Sequence, residues 1–451
     1  MNEEKVKWLG HAKEILDNVG PGMCMAKWMQ VSLHLHNGHT HSCHHPNTHK
    51  IPLEEIQADP SALHNTSFKK EQRKIMMTGG RPPECNYCWN IEDNSPKDVY
   101  SDRILKSIES WAGLTYAPKV FEKGFTKSID PSYLEVSFSS ACNFKCSYCS
   151  PQTSSKWMEE IKEHGGYPTS SNYNNLDQVA LQQKIPLLER EDNPYVDAFW
   201  KWWPTLYPEL HTFRITGGEP LMSKHTFKVL DYIIDNPNPN LELSVNSNCG
   251  VEEKLFDKFL DKVKYILENK LVKKFTLYTS CEAYGSKAEY IRYGLDYQKW
   301  FQNCIRYLEN IPTGNFFIMS AYNALSVTSY EKFLEDVLSI KTKYQTKNRA
   351  VKLDISYVNY PTWMNVNILP IEYKDYIDNQ IKFMEINQYS FELWEIDKLK
   401  RILYLFNINQ NTTNQKDFYL FFNEHDQRRK TNFLDTFPEM EKFYFQCQSI
   451  G

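Results

Sequence analysis

The stretch from Ser132 to Ser150 constrains this chain most: an alternating, β-prone run through Ser139 delivers three thiols, Cys142, Cys146 and Cys149, onto one short loop. Thiolates spaced C-x3-C-x2-C can hold three corners of a cubane iron–sulfur cluster. Full protein ligation of four irons takes four cysteines, so one iron is left open for an outside ligand. Zinc is the competing reading; it needs a fourth ligand and favours paired C-x2-C knuckles, and no neat fourth partner stands beside the triplet. A second β-prone run ends in Arg214-Ile215-Thr216-Gly217-Gly218-Glu219-Pro220. By itself that string is a commonplace strand-to-helix turn.

Together, the triplet and the Gly-Gly-Glu-Pro string resemble the radical S-adenosylmethionine (radical SAM) superfamily. The resemblance implies a four-iron, four-sulfur (4Fe-4S) cluster on Cys142, Cys146 and Cys149, whose open iron binds the amino and carboxylate groups of S-adenosylmethionine. It also implies that Gly217, Gly218 and Glu219 hold the methionine ammonium. Asn246 follows the third strand of the expected barrel, on the same rim. Ser280 ends the fourth, with Arg292 twelve residues further on; in related enzymes with auxiliary-cluster domains a Ser and an Arg so placed contact the methionine carboxylate and ribose region. Glu282-Ala283 stands where those relatives carry Asp-Gly, a departure that assigns Glu282 no role. Without the resemblance, Ser280 would read as a helix cap and Arg292 as a surface charge.

Nearer the N-terminus, Val6, Leu9, Ala12, Ile15 and Leu16 have a helical spacing that stops at Gly20-Pro21-Gly22. Cys24 then precedes an alternating run (Gln30 to His36), an Asn37-Gly38 turn, a second short run and Cys43. Asn-Gly between alternating runs is the strongest short hairpin signal. Cys85-Asn86-Tyr87-Cys88-Trp89 adds a C-x2-C pair. Four cysteines in this order resemble the twitch domain, a half-length relative of the SPASM domain, placed before the barrel as in some radical SAM proteins. That implies Cys24, Cys43, Cys85 and Cys88 as the full ligand set of a second, auxiliary 4Fe-4S cluster; a structural zinc would share the same ligand logic. Eight of the 13 histidines fall between His34 and His64. They read as a metal-ligating or cluster-tuning group, or as a solvated strand face and loop, the reading preferred here.

From Tyr133 onward strands alternate with helices: Tyr133 to Ser139, Thr212 to Thr216, Leu241 to Asn246, Phe275 to Ser280, Asn315 to Ser320 and Val351 to Val358. Such alternation implies parallel strands flanked by helices. The expected class is α/β: a partial (β/α)6 radical SAM barrel with a small N-terminal hairpin-containing twitch module and a helical C-terminal extension. The corresponding segments are 1–112, 113–370 and 371–451. An insertion at 151–208 carries the aromatic stretch Tyr195 to Tyr207, read as a lid or as an outer helix packed on the barrel. The tail after Leu405 reads as polar, with Arg428-Arg429-Lys430 solvated.

A net charge of −4 offers no basic excess for nucleic acid or an anionic membrane, and no apolar run reaches 18 residues. The N-terminus lacks a signal-peptide pattern, so a reducing cytoplasm is expected and the 11 cysteines read as ligands and free thiols. The resemblance implies an enzyme that takes an electron from a flavodoxin- or ferredoxin-type donor and cleaves S-adenosylmethionine to a 5'-deoxyadenosyl radical. That radical abstracts hydrogen from a substrate, either a small sugar or nucleotide or a peptide. The alternative is a non-catalytic binding or scaffold protein stabilised by zinc or a cluster.

Overall fold

The computed structural model describes residues 3–96, 99–188, 191–407 and 412–450. Eleven strands run through them: β1 (Gln30–His34), β2 (His39–His41), β3 (His49–Lys50), β4 (Tyr133–Ser137), β5 (Lys145–Cys146), β6 (Thr212–Thr216), β7 (Asn238–Asn246), β8 (Val272–Ser280), β9 (Arg292–Tyr293), β10 (Asn315–Tyr322) and β11 (Val351–Tyr357). The chain divides into two compact units. The first holds residues 1–139, 186–217 and 236–243; the second holds 140–185, 218–235 and 244–451. The stretch 151–208 is therefore shared between them.

In the first unit, β1 and β2 form the hairpin that Asn37-Gly38 predicts, with Ser32 opposite His41 and His34 opposite His39. β3 continues it, while β1 also lies parallel to β4 and β4 parallel to β6. Period-two alternation sorts the side chains. Val31, Leu33, Leu134, Val136, Phe213 and Ile215 are buried as core, and their neighbours Ser32, His34, Glu135, Ser137 and Arg214 share the other face. The histidines correct the expectation of a solvated face. His36, His39, His41 and His64 are at most 8% exposed. Burial pulls the His41 pKa down to about 3 and that of His49 to about 2, so both imidazoles are neutral.

The helix Glu3–Val19 sends Leu9 and Leu16 into a cluster with Met23, Trp28, Met76 and Trp89; the side chain of Val6 lies outside the described residues. In the aromatic helix Pro194–Leu206, Phe199, Trp202 and Trp203 are buried, Trp203 against Phe213 and Trp202 donating to Asp130 at 2.8 Å. This is the outer-helix arrangement, with its rings spent on packing.

The second unit repeats strand and helix, with β8 parallel to β10 and β10 parallel to β11. The intervening helices include Lys224–Asp235, Glu253–Glu268, Tyr297–Asn310 and Tyr330–Tyr344. The chain is thus mixed α/β with parallel strands dominant, consistent with a radical SAM-type fold. A short antiparallel pair stands apart, β5 with β9, and sets Cys146 opposite Arg292.

The expected polar tail is instead the helix Thr412–Arg429, which buries Phe418, Phe421 and Phe422. Arg429, read as solvated, is 4% exposed: it pairs with Glu160 at 3.2 Å and donates to the Lys145 carbonyl at 2.8 Å. Arg428 donates to the carbonyls of Gly165 and Gly166 and covers the Tyr167 ring. A run of charge at a helix end carries no mark of which member turns inward; only Lys430 stays exposed. Burial opposes ionisation of Glu160, yet Arg429, Lys145 and Tyr167 outweigh it and hold its pKa down to about 2. The stability this pairing contributes is complete above the unfolded value of 4.5 and is lost as pH falls toward about 2. Arg429→Met is expected to cost about 3 kcal/mol in anaerobic urea unfolding, and Lys430→Ala to stay within about 0.5 kcal/mol.

Candidate iron–sulfur and cofactor site

Cys142, Cys146 and Cys149 lie together in the second unit, close enough for Cys142 to feel the charge of both other thiols and Cys146 that of Cys149. Their loop is fixed by backbone. Ser147 N donates to Ile291 O at 2.7 Å, and the Trp157 indole donates to Cys146 O at 2.9 Å. Burial pushes the Cys146 thiol up to about 12 and raises those of Cys142 and Cys149. Thiols so desolvated are poor free nucleophiles, whereas a bound metal takes their protons outright. The donor chemistry fits a cluster.

The Gly-Gly-Glu turn meets this loop backbone to backbone. Gly217 has φ +135°, and a Cβ there would stand 2.8 Å from Ser139 O. A Cβ on Gly218 would stand 2.4 Å from Ala141 O and 2.7 Å from Ser140 O. Glu219 N donates to Ala141 O at 2.7 Å. Its carboxylate, 1% exposed, accepts from Asn248 N (2.6 Å), Ser247 Oγ (2.8 Å) and Leu221 N (3.0 Å). Sequence reading passed over Ser247 and Asn248, whose signal is a polar triplet at the end of an apolar strand. Burial lifts the Glu219 pKa to about 7, against hydrogen bonds that favour its charge.

Asn246 and Ser280 both reach Met319 of β10, Asn246 through its amide at 3.8 Å from the sulfur and Ser280 as its strand partner. Arg292 has other partners. Its guanidinium is buried against Glu282, Nε at 3.0 Å and Nη2 at 2.6 Å, and Nη1 lies 3.8 Å from Cys146 Sγ. Tyr148 Oη donates to the same carboxylate at 3.2 Å. Glu282, given no role from sequence, is the group that holds Arg292; the signal was an acid ten residues before the arginine.

In the first unit Cys24, Cys43, Cys85 and Cys88 line one small pocket with Lys27, Arg103 and Lys106. Burial pushes Cys85 and Cys88 up to about 12, and the neighbouring thiols Cys24 and Cys43 push both further in the same direction. Lys27 is buried and pairs with Glu84; Arg103 pairs with Glu92 at 2.8 Å and Asp17 at 2.9 Å. Four thiols beside buried cations fit an anionic metal–thiolate group. No local spacing points to Lys27, since Glu84 is far along the chain. All eleven cysteines are free thiols, and among the described residues no three His, Cys, Asp or Glu side chains form a ready-made single-metal site.

No family model and no solved structure matches the chain. Two curated relatives match part of it. The GTP 3',8-cyclase of Sulfurimonas denitrificans is 24% identical over 129 residues, 29% of this chain and 31% of the relative. That of Sulfurovum sp. is 24% identical over 150 residues, 32% and 36% respectively. The chain spans about a third of the length of the curated relatives it matches. The similarity supports the radical SAM superfamily. Among the described residues no helix is long and apolar enough to cross a membrane.

Two expectations follow. Gly218→Ala must push a Cβ into fixed carbonyls, so a loss of about 1–3 kcal/mol should accompany poorer iron retention by the neighbouring loop, read by thermal unfolding and iron assay. Because the folded-state pKa of Glu219 lies above its unfolded value, the folded cofactor-free protein binds the extra proton between pH 4.5 and about 7. Its stability should fall by up to about 3 kcal/mol as pH rises through that window, and Glu219→Gln should flatten this slope in urea unfolding at pH 5 and pH 7.5.

Proposed function

We propose that this chain is a radical SAM enzyme that acts on a polar small molecule of sugar or nucleotide type. The carrying observation is the buried Glu219 carboxylate, gathered by Ser247 and Asn248 and tied by its own N–H to the loop of Cys142, Cys146 and Cys149. In this reading the three thiolates hold a 4Fe-4S cluster. Gly217, Gly218, Glu219, Asn246 and Ser280 hold S-adenosylmethionine at the rim of a partial (β/α)6 barrel. When bound and reduced, the cluster supplies the electron that splits S-adenosylmethionine into methionine and a 5'-deoxyadenosyl radical able to take hydrogen from substrate. The residues' own work is placement. Glu219 receives the methionine amino group, and the Gly217-Gly218 backbone lets it come close.

The N-terminal segment is proposed as a twitch-like module in which Cys24, Cys43, Cys85 and Cys88 hold an auxiliary 4Fe-4S cluster. Complete cysteine ligation leaves that cluster to electron transfer or structure. The 371–451 helices are proposed as an extension that buttresses the barrel, and the protein as cytoplasmic with a flavodoxin- or ferredoxin-type donor. The substrate class is supported by the name of the relatives, which act on GTP, and by the histidine, Glu135 and Arg214 face of the first unit. A peptide remains the second substrate reading.

Anaerobically prepared protein should carry about eight irons per chain. Replacing Cys142, Cys146 and Cys149 by Ala should leave about four irons and abolish S-adenosylmethionine cleavage. Replacing Cys85 and Cys88 should also leave about four irons while sparing cleavage driven by a strong chemical reductant. Stoichiometric zinc without charge-transfer absorption in the wild type would overturn the proposal.

A further inference from the structure

We infer that Arg292 is a hydrogen-bond donor to the Cys146 sulfur, held in place by Glu282, and that it raises the reduction potential of the cluster on Cys142, Cys146 and Cys149 rather than binding S-adenosylmethionine. The inference rests on the cofactor reading above. Its geometry is built from both directions. The β5–β9 pair sets Cys146 and Arg292 directly opposite one another, locked by the Ser147 N to Ile291 O bond. Glu282, fully buried, then grips the guanidinium edge through Nε and Nη2, which leaves Nη1 directed at Cys146 Sγ, 3.8 Å away. Tyr148 completes the cage, with its hydroxyl on Glu282 and its ring 5.5 Å from the guanidinium carbon.

A guanidinium is always charged and has five N–H groups in a fixed fork. An arginine meant to meet a mobile carboxylate would keep its paired edge free; here that edge is bound inside the protein. What it offers toward the thiol loop is the Nη1 amino group and a positive end. Hydrogen bonds to cluster sulfurs and the net charge around a cluster are among the determinants of its potential. A one-electron reduction adds negative charge to the thiolate-bound cluster. A donor cation beside Cys146 favours that state, while the carboxylate behind the cation tempers it.

Opposite signs test this. In anaerobically reconstituted full-length protein, the midpoint potential is read by dithionite titration followed by electron paramagnetic resonance, using the signal that S-adenosylmethionine perturbs. Arg292→Gln should shift the potential downward by about 59 mV or more, a tenfold change for a one-electron couple. Glu282→Gln should shift it upward. The dissociation constant for S-adenosylmethionine should change by less than about threefold in either, well short of the tenfold that 1.4 kcal/mol represents. If a buried unpaired charge prevents one variant from folding, the double variant Arg292→Met/Glu282→Gln leaves none behind and should still lie below wild type. Unmoved potentials, shifts of the same sign, or a tenfold loss of S-adenosylmethionine affinity in Arg292→Gln would overturn the inference. Wild-type iron content that does not change on removing the three cysteines would instead refute the cofactor reading, and the inference with it.

Discussion

Contact between two backbone turns governs the candidate site. Gly218 lies so close to the carbonyls of Ser140 and Ala141 that any side chain would collide, and the next N–H, that of Glu219, bonds to Ala141 O. That one bond fixes a carboxylate relative to a thiol loop. Each consequence follows from it: Glu219 is buried, must be satisfied, and draws Ser247 Oγ and Asn248 N from the end of β7. An unsatisfied buried carboxylate would cost several kcal/mol, so the convergence of these loops is an energetic requirement as well as a functional one.

Buried charge is handled in the same way elsewhere. In the second unit Glu160 is shared by Arg429, Lys145 and Tyr167, and Lys341 with Glu395 forms a pair wholly removed from solvent. Near the four-thiol pocket of the first unit, Lys27 and Arg103 have carboxylate partners, whereas Lys69 and Arg73 bond to neutral groups: Lys69 to Thr40, Arg73 to Asn65, His64 and the Lys27 carbonyl. Cations buried this way are costly unless negative charge lies near. Cys43 acts electrostatically on both Lys27 and Lys69, so a thiolate-bound, anionic group in that pocket would relieve an imbalance the side chains alone leave.

The two faces of β1, β4 and β6 divide the labour within the first unit. Leucines, valines and Ile215 build the core; His34, Glu135, Ser137 and Arg214 line the reverse, where Glu135 and Arg214 approach to 3.8 Å and Ser137 meets His36 at 2.9 Å. A face of imidazoles, hydroxyls and one ion pair presents donors and acceptors.

The sequence by itself determined the elements whose signals are local. Alternation placed the strands, Asn37-Gly38 the hairpin, and thiol spacing the triplet Cys142, Cys146 and Cys149, because period, turn chemistry and ligand count are there written within a few residues. Tertiary structure alone decided what depends on partners distant in the chain. Cys146 meets Arg292 across a strand pair, Arg429 turns inward to Glu160, and His39 and His41 of β2 are buried, which alternation cannot reveal. The aromatic helix Pro194–Leu206 carries the same lesson, since its composition suits a lid as well as a core and only Phe213 and Asp130 show which it is. Local sequence fixes which side chains a segment presents; the cost of burying charge and the closing of sheet edges, both properties of the folded whole, fix what those side chains meet.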